Sequence, residues 1–391
     1  MYRQVLSGSL FIVGTAVGAG MLGIPLVTSS AGFLPALFIS GLIAIFMAIT
    51  GLLLLEAVLA APDGSNILSI AHLSFGKMGQ VLSGIPFLFL YYCLLCAYFT
   101  AASSLMLDGW QAIFGYSLPA FGANIAFLMI FGSILSFGMK WIERFNLFAI
   151  LLMAVSYFFV LYLGSAEISF TRLGKANMQA SFWATPILFS AFGYHNIIPS
   201  LTAYFKKDKA VMQKAICTGC FCVFLIYALW QCVILGAVPE NILHAAKNEP
   251  PSYLISYLQQ KGTIWGYLLS FFAFFAIVTS FFGVSISMMD FLGEALGKKQ
   301  IGKDRFLIAS LTLAPPLMVS AVDPRIFIRA LELAGGFGES ILNGILPVLF
   351  VFFAKTKIAS KGLLHHKGFL LLCFLFALSV FFLEIVGIMS G

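Results

Sequence analysis

The chain has 391 residues, of which 61% are hydrophobic and 9% charged. With a mean hydropathy of +1.02, this excludes a soluble globular domain, whose charged fraction is about 25%, and marks an all-α, multi-pass membrane protein taken as one domain. The net charge of +7 raises nucleic acid as a partner, which the placement of the charges then excludes.

The first span, Val5–Phe33, reads VLSGSLFIVGTAVGAGMLGIPLVTSSAGF. It exceeds the roughly 20 residues that a helix needs to cross a bilayer. Its middle carries Gly14, Gly18, Gly20 and Gly23 ahead of Pro25. A glycine weakens a helix by about 1 kcal/mol relative to alanine, and a proline suits the first turn of a new helical piece. The pattern predicts two half-helices joined by an opened segment near Thr15–Gly20. Bare peptide groups cannot face lipid, so the opening must face protein, water or a ligand. A broken helix at mid-membrane is the sequence mark of a transporter's binding site.

Span 2 runs from about Leu34 to Ala60 and carries one charge, Glu56. The polar stretch Pro62–Gln80 has room for a short helix along the membrane surface. Span 3 covers about Val81–Leu107 and includes Tyr91, Tyr92 and Tyr98; span 4 covers Pro119–Gly138. Lys140–Arg144 reads as a charged turn before span 5, Asn146–Gly164. Span 6, SFWATPILFSAFGYHNIIPSLTAYF from Ser181 to Phe205, repeats the theme of span 1: Gly193 sits mid-span and Pro199 follows. Spans 7 to 11 are Ala215–Val238, Thr263–Met289, Phe306–Val322 (kinked at Pro315–Pro316), Ile326–Phe353 (interrupted at Gly335–Gly336) and Gly368–Met389. The polar loop after span 7 has room for an amphipathic helix. Breaks at spans 1 and 6, each opening a run of five, fit two inverted five-helix repeats, about 5–164 and 181–353, with one extra helix at 368–389.

The seven cysteines, including Cys93-x-x-Cys96, lie in apolar runs. With no histidine near them they read as packing residues, and no disulfide or cleavable leader is expected. Lysines and arginines orient the chain. Arg3, Lys77, Lys140, Arg144, Lys206, Lys207, Lys209, Lys214, Lys298, Lys299, Lys303, Arg305, Lys355, Lys357, Lys361 and Lys367 fall on the side of the N-terminus. The other side and the spans hold Arg172, Lys175, Lys247, Lys261, Arg325 and Arg329. The bias places the N-terminus in the cytoplasm and, with an odd number of spans, the C-terminus in the periplasm. Basic residues that flank membrane helices form no nucleic-acid patch.

No nucleophile elbow, Walker loop or His-Glu-x-x-His motif occurs, so an enzyme is not expected. At the opening of span 1, the downstream half-helix starts with free N–H groups that favour an anion. A substrate carboxylate would sit on the amides of Ala19, Gly20 and Met21, beside Gly18. A substrate ammonium would meet carbonyls near Thr15–Val17 and at Phe192, Gly193 and Tyr194. The glycines could instead serve close packing of helices, since Gly14-xxx-Gly18 fits that motif. His195 lies at membrane depth, where a titratable group is a functional candidate, for substrate contact or for proton handling. Glu56, Glu332, Glu339 and Glu384 are the carboxylates of apolar runs. Glu56 and Glu332 are retained as proton-coupling candidates, although Arg329 lies three residues before Glu332, at ion-pair spacing. Tyr91, Tyr92 and Ser280 are further wall candidates. Thr279 is expected to bond its own backbone.

GTAVGAGMLGIP resembles the GT-x-[IV]-GAGML-x-[LI]-P motif of the hydroxy and aromatic amino acid permease family, and FGYHNIIPSL resembles its FGFH-x-x-IPS motif. LLLLE ending at Glu56 and ALELAGGFGESILNGILP are also similar to that family. The resemblance covers nearly the whole chain. It implies an amino acid–polyamine–organocation fold and proton-coupled import of an aromatic amino acid, tyrosine first, across a bacterial inner membrane. It implies no cofactor beyond the proton as coupling ion, and a site at the span-1 opening and Phe192–His195. Two departures, Tyr194 for phenylalanine and Gly23 for alanine, bear on pocket size, so tryptophan stays open beside tyrosine. A sodium-coupled carrier and a membrane-embedded enzyme are the alternative readings.

Overall fold

The computed structural model describes residues 1–116, 119–137, 139–260, 264–298, 301–353, 364 and 366–390. Gly138 and Thr263, at the ends of two expected spans, lie outside the described residues. So do His365 and five of the orienting lysines: Lys261, Lys299, Lys355, Lys357 and Lys361. Among the described residues every regular element is helical. Eight helices among these residues are long and apolar enough to cross a bilayer, or nine when a bent pair counts as one span. The two remaining expected spans are a shorter apolar helix, Phe121–Leu135, and the interrupted stretch Thr185–Tyr204.

The bent pair is α1 (Tyr2–Ala16) and α2 (Gly20–Thr28), which meet at 63°. The opening is narrower than expected. Thr15 is still helical, and the chain leaves the helix only over Val17–Ala19, with Val17 extended at ψ 104°. Pro25 is the sixth residue of α2, not in its first turn. There it removes the N–H that would bond Met21.

After α3 (Phe33–Ala60), helix α4 runs from Ile67 to Phe114. Asn66 caps it by accepting from the Ser69 N–H at 2.8 Å. Gly76, at φ +70°, turns the chain and sets off the expected short helix from the long one. Then come α5 (Ala120–Phe127) and α6 (Met139–Ser165). The Lys140–Arg144 stretch, expected as a turn, is the first part of α6. Nothing in its sequence breaks a helix, and Asn146 does not act as a cap.

The second interruption falls between α7 (Thr185–Ala191) and α8 (Ile198–Tyr204), with a short 3-10 turn at His195–Ile197. Helix α9 (Lys209–Ala237) is capped by Asp208 and packs against α1 and α3. Gly219 leaves room for Ile12 between α1 and α9. The loop that follows holds two short helices, α10 (Glu240–Ala246) and α11 (Ser252–Gln260). Helix α12 (Ile264–Ala295) packs against α4 and α6. Helix α13 (Gly302–Val322) passes through Pro315–Pro316 as one element.

The expected interruption at Gly335–Gly336 is replaced by a wider coil. Helix α14 (Phe327–Leu333) continues as a π-helix over Ala334–Ile345 and resumes as α15 (Leu346–Phe352). Bare α-carbons at Gly335, Gly336 and Gly338 let this coil press on Pro186, Glu384 and Leu90. Packing with its neighbours therefore keeps the hydrogen-bonded turns that glycine propensity alone would lose. The last described helix is α16 (Lys367–Ser390).

Candidate functional site

The two interruptions touch. A Cβ at Gly20 would stand 3.1 Å from the Ala191 α-carbon, closer than most Cβ contacts, so glycine eases this approach. Each upstream half ends in a carbonyl without a helical partner. The carbonyls are those of Ala16 and Ala191, and the hydroxyl of Tyr227, fully buried on α9, lies 2.7 Å from both. Its ring meets Phe192 edge-on at 4.9 Å.

A cavity opens beside these breaks. Its volume is about 70 Å³, below the range of about 300–1,000 Å³ usual for small-molecule sites. From the first break its wall takes Thr15, Ala16, Gly18, Ala19 and Gly20. From the second it takes Ser190, Gly193 and Asn196; from α4, Phe87, Tyr91 and Tyr98; from α12, Ser280; and from the π-helix, Glu339 and Asn343. The Phe87 and Tyr91 rings stack at 4.2 Å.

Of the residues expected from sequence, Thr15, Gly18, Ala19, Gly20, Gly193, Tyr91 and Ser280 meet at this cavity. The others lie elsewhere. Val17, Met21 and Phe192 are buried in the core. Tyr194 turns away and donates to the Met47 carbonyl at 3.0 Å. His195 is fully buried and pairs through Nε2 with Thr50 Oγ1 at 2.9 Å, behind the cavity wall. Tyr92 donates to the Leu311 carbonyl at 2.9 Å. Gly23 faces Leu331 and Ile328. The two departures from the family motif, Tyr194 and Gly23, therefore do not line the cavity.

The three amides offered to a carboxylate are not equivalent. The Ala19 N–H donates to Ser280 Oγ at 3.2 Å, and the Met21 N–H to the Gly18 carbonyl at 3.2 Å. Among the described residues only the Gly20 N–H of the three has no protein acceptor. Gly18 sits against the Ser280 hydroxyl, which a Cβ there would have to displace, whereas Gly14 has open space around it. Gly14-xxx-Gly18 is therefore not a helix-packing motif here. Thr279 bonds its own helix at Ala276, 3.1 Å away.

The acidic residues divide clearly. Glu56 pairs with Lys209 at 2.5 Å, at the end of α3. Glu332 pairs with Lys247 and with Arg329, each at 3.4 Å, and Glu384 with Arg329 at 3.3 Å. Glu339 alone among these four reaches the cavity. Sequence reading had missed Ser190, Asn196, Asn343 and Tyr98 as wall residues. Ser190 and Asn196 lie inside the span-6 motif, which was the available signal, and the Ser190 hydroxyl is buried without a partner.

The sequence model of the tryptophan/tyrosine permease family matches residues 1–386. The "Tyrosine-specific transport system 1" of Haemophilus influenzae is 27% identical over 368 residues, covering 92% of this chain and 90% of that protein. The "Tryptophan-specific transport protein" of the same organism is 28% identical over 387 residues, covering 93% and 91%. Among solved structures, the crystal structure of MhsT in complex with L-phenylalanine superposes with a TM-score of 0.72, covering 97% of this chain and 98% of that one. At 14% sequence identity this likeness shows the fold alone.

Proposed function

The chain belongs to the tryptophan/tyrosine permease family, and from that premise we propose that it imports tyrosine, in symport with protons, across a bacterial inner membrane. The observation that carries the reading is the convergence of two helix breaks on one cavity lined by aromatic rings and by polar groups. A zwitterion needs an anion site and a cation site a short distance apart. The Gly20 N–H at the start of α2 offers the first. The carbonyls of the broken segments offer the second. The Phe87–Tyr91 stack gives the amino acid's ring an aromatic wall.

The site in this reading comprises Thr15, Gly18, Ala19, Gly20, Gly193, Tyr91 and Ser280, with Ser190, Asn196 and Asn343 added. Tyr227, which bridges the two breaks, holds the wall in place. The N-terminus lies in the cytoplasm and the C-terminus in the periplasm, as the basic flanks require. Two inverted five-span repeats, about 5–164 and 181–353, are the organisation that breaks at spans 1 and 6 support.

Uptake of labelled tyrosine into proteoliposomes tests this. Competition by each amino acid should show tyrosine as the strongest competitor; stronger competition by tryptophan would reassign the substrate. An uncoupler should stop accumulation, and replacing sodium by choline should not. Dependence on sodium would replace the proton by that ion.

A further inference from the structure

Glu339 is a 5% exposed carboxylate in the cavity wall and has no ion pair among the described residues. Asn343, four residues on, donates through Nδ2 to Oε2. Among the described residues its neighbours supply no cation. From α4, Tyr91 and Tyr98 line the same cavity. From the second break comes the bare α-carbon of Gly193, where any side chain would strike the carboxylate. His195, two residues on, is held by Thr50 and does not line the cavity. From α16, Glu384 is occupied by Arg329. The other three carboxylates of apolar runs all have lysine or arginine partners. A buried carboxylate left charged and unpaired costs several kcal/mol. This one must therefore meet a proton or an arriving cation.

We propose that Glu339 binds and releases the coupled proton; this rests on the symport reading above. Hydronium on one side gives its proton to a Glu339 oxygen, leaving water, and the carboxylic acid gives it to water on the other side as hydronium, so each transfer breaks one O–H bond and forms another. Substrate and proton meet at Gly193, which belongs to the second helix break and touches the carboxylate. The cavity wall also includes Ile67, at the start of α4, and so extends towards the Asn66 end of that helix. On the charge bias this is the cytoplasmic side, where the proton is released.

The test compares wild-type protein and Glu339→Gln in proteoliposomes with labelled tyrosine. Without a gradient, exchange of internal for external tyrosine needs no net proton movement. With an imposed pH gradient, accumulation does. Glu339→Gln should keep exchange and lose gradient-driven accumulation. Accumulation equal to wild type overturns the proposal, and so does loss of tyrosine binding by a folded variant, which would make Glu339 the ammonium partner. If Glu339→Gln does not fold, Glu339→Asp decides: a shifted pH profile of uptake supports the proposal and an unshifted one overturns it. An uncoupler arm on the wild-type protein keeps the two readings apart. If wild-type accumulation survives the uncoupler, the symport reading itself fails.

Discussion

Ala16 and Ala191 end their helices on the same hydroxyl: both carbonyl oxygens lie 2.7 Å from Tyr227 Oη. A phenol has one proton to donate, so the two acceptors share it. One side chain on α9 thereby ties together the ends of the two broken helices.

Tyr227→Phe keeps the ring against Phe192 and removes the hydroxyl. Two buried carbonyls then lose their donor, at a cost of about 1–3 kcal/mol. The melting temperature in detergent should fall, and KM for tyrosine should rise more than the maximal rate changes. A variant with wild-type KM and melting temperature would show that the bridge does not set the cavity.

Gly18→Ala places a methyl on the Ser280 hydroxyl, an overpacking cost of about 1–3 kcal/mol. Tyrosine binding to the purified protein should weaken. In a Ser280→Ala background the nearest atom of residue 280 is its Cβ, 3.3 Å from the new methyl, so part of the binding should return. Gly18→Leu should abolish binding in either background. Full affinity in that variant counts against the site.

His195→Ala and Thr50→Ala remove the same buried hydrogen bond from its two ends. Each should lower uptake, with about 1–3 kcal/mol lost from the fold. The shape of the pH profile should stay as in wild type for both. A profile altered only by His195→Ala would make the imidazole a proton carrier; transport unchanged at every pH would leave it no role.

Lys207 ties the turn between α8 and α9 to the loop between α3 and α4. It bonds Asp63 at 2.7 Å and the Ala61 carbonyl at 3.0 Å. Its hydrogen bond and its charge hold the Asp63 carboxyl below the usual carboxylate range. A carboxyl with a lowered folded-state pKa stabilises the fold above its unfolded value and loses that contribution as pH falls. Asp63→Asn should therefore melt slightly below wild type at neutral pH. The difference should shrink as pH falls below about 4 and vanish once pH is below the lowered folded-state value, and a difference that does not change with pH would separate the effect from ionisation.

The sequence by itself determined the membrane class, the helical spans and the places where two of them break. Those properties are local. Lipid denies partners to bare peptide groups, and glycine and proline weaken a helix wherever they stand. Tertiary packing decided what fills and lines each break. Ser280 takes the Ala19 amide, Tyr227 takes the carbonyls of Ala16 and Ala191, and Glu339 comes to rest against Gly193. The same packing turned Met21, Tyr194 and His195 away from the cavity, and it carried the Ala334–Ile345 stretch through its glycines as a wide coil. Each of these outcomes depends on the distance between elements far apart in the chain, which spacing along the sequence does not encode.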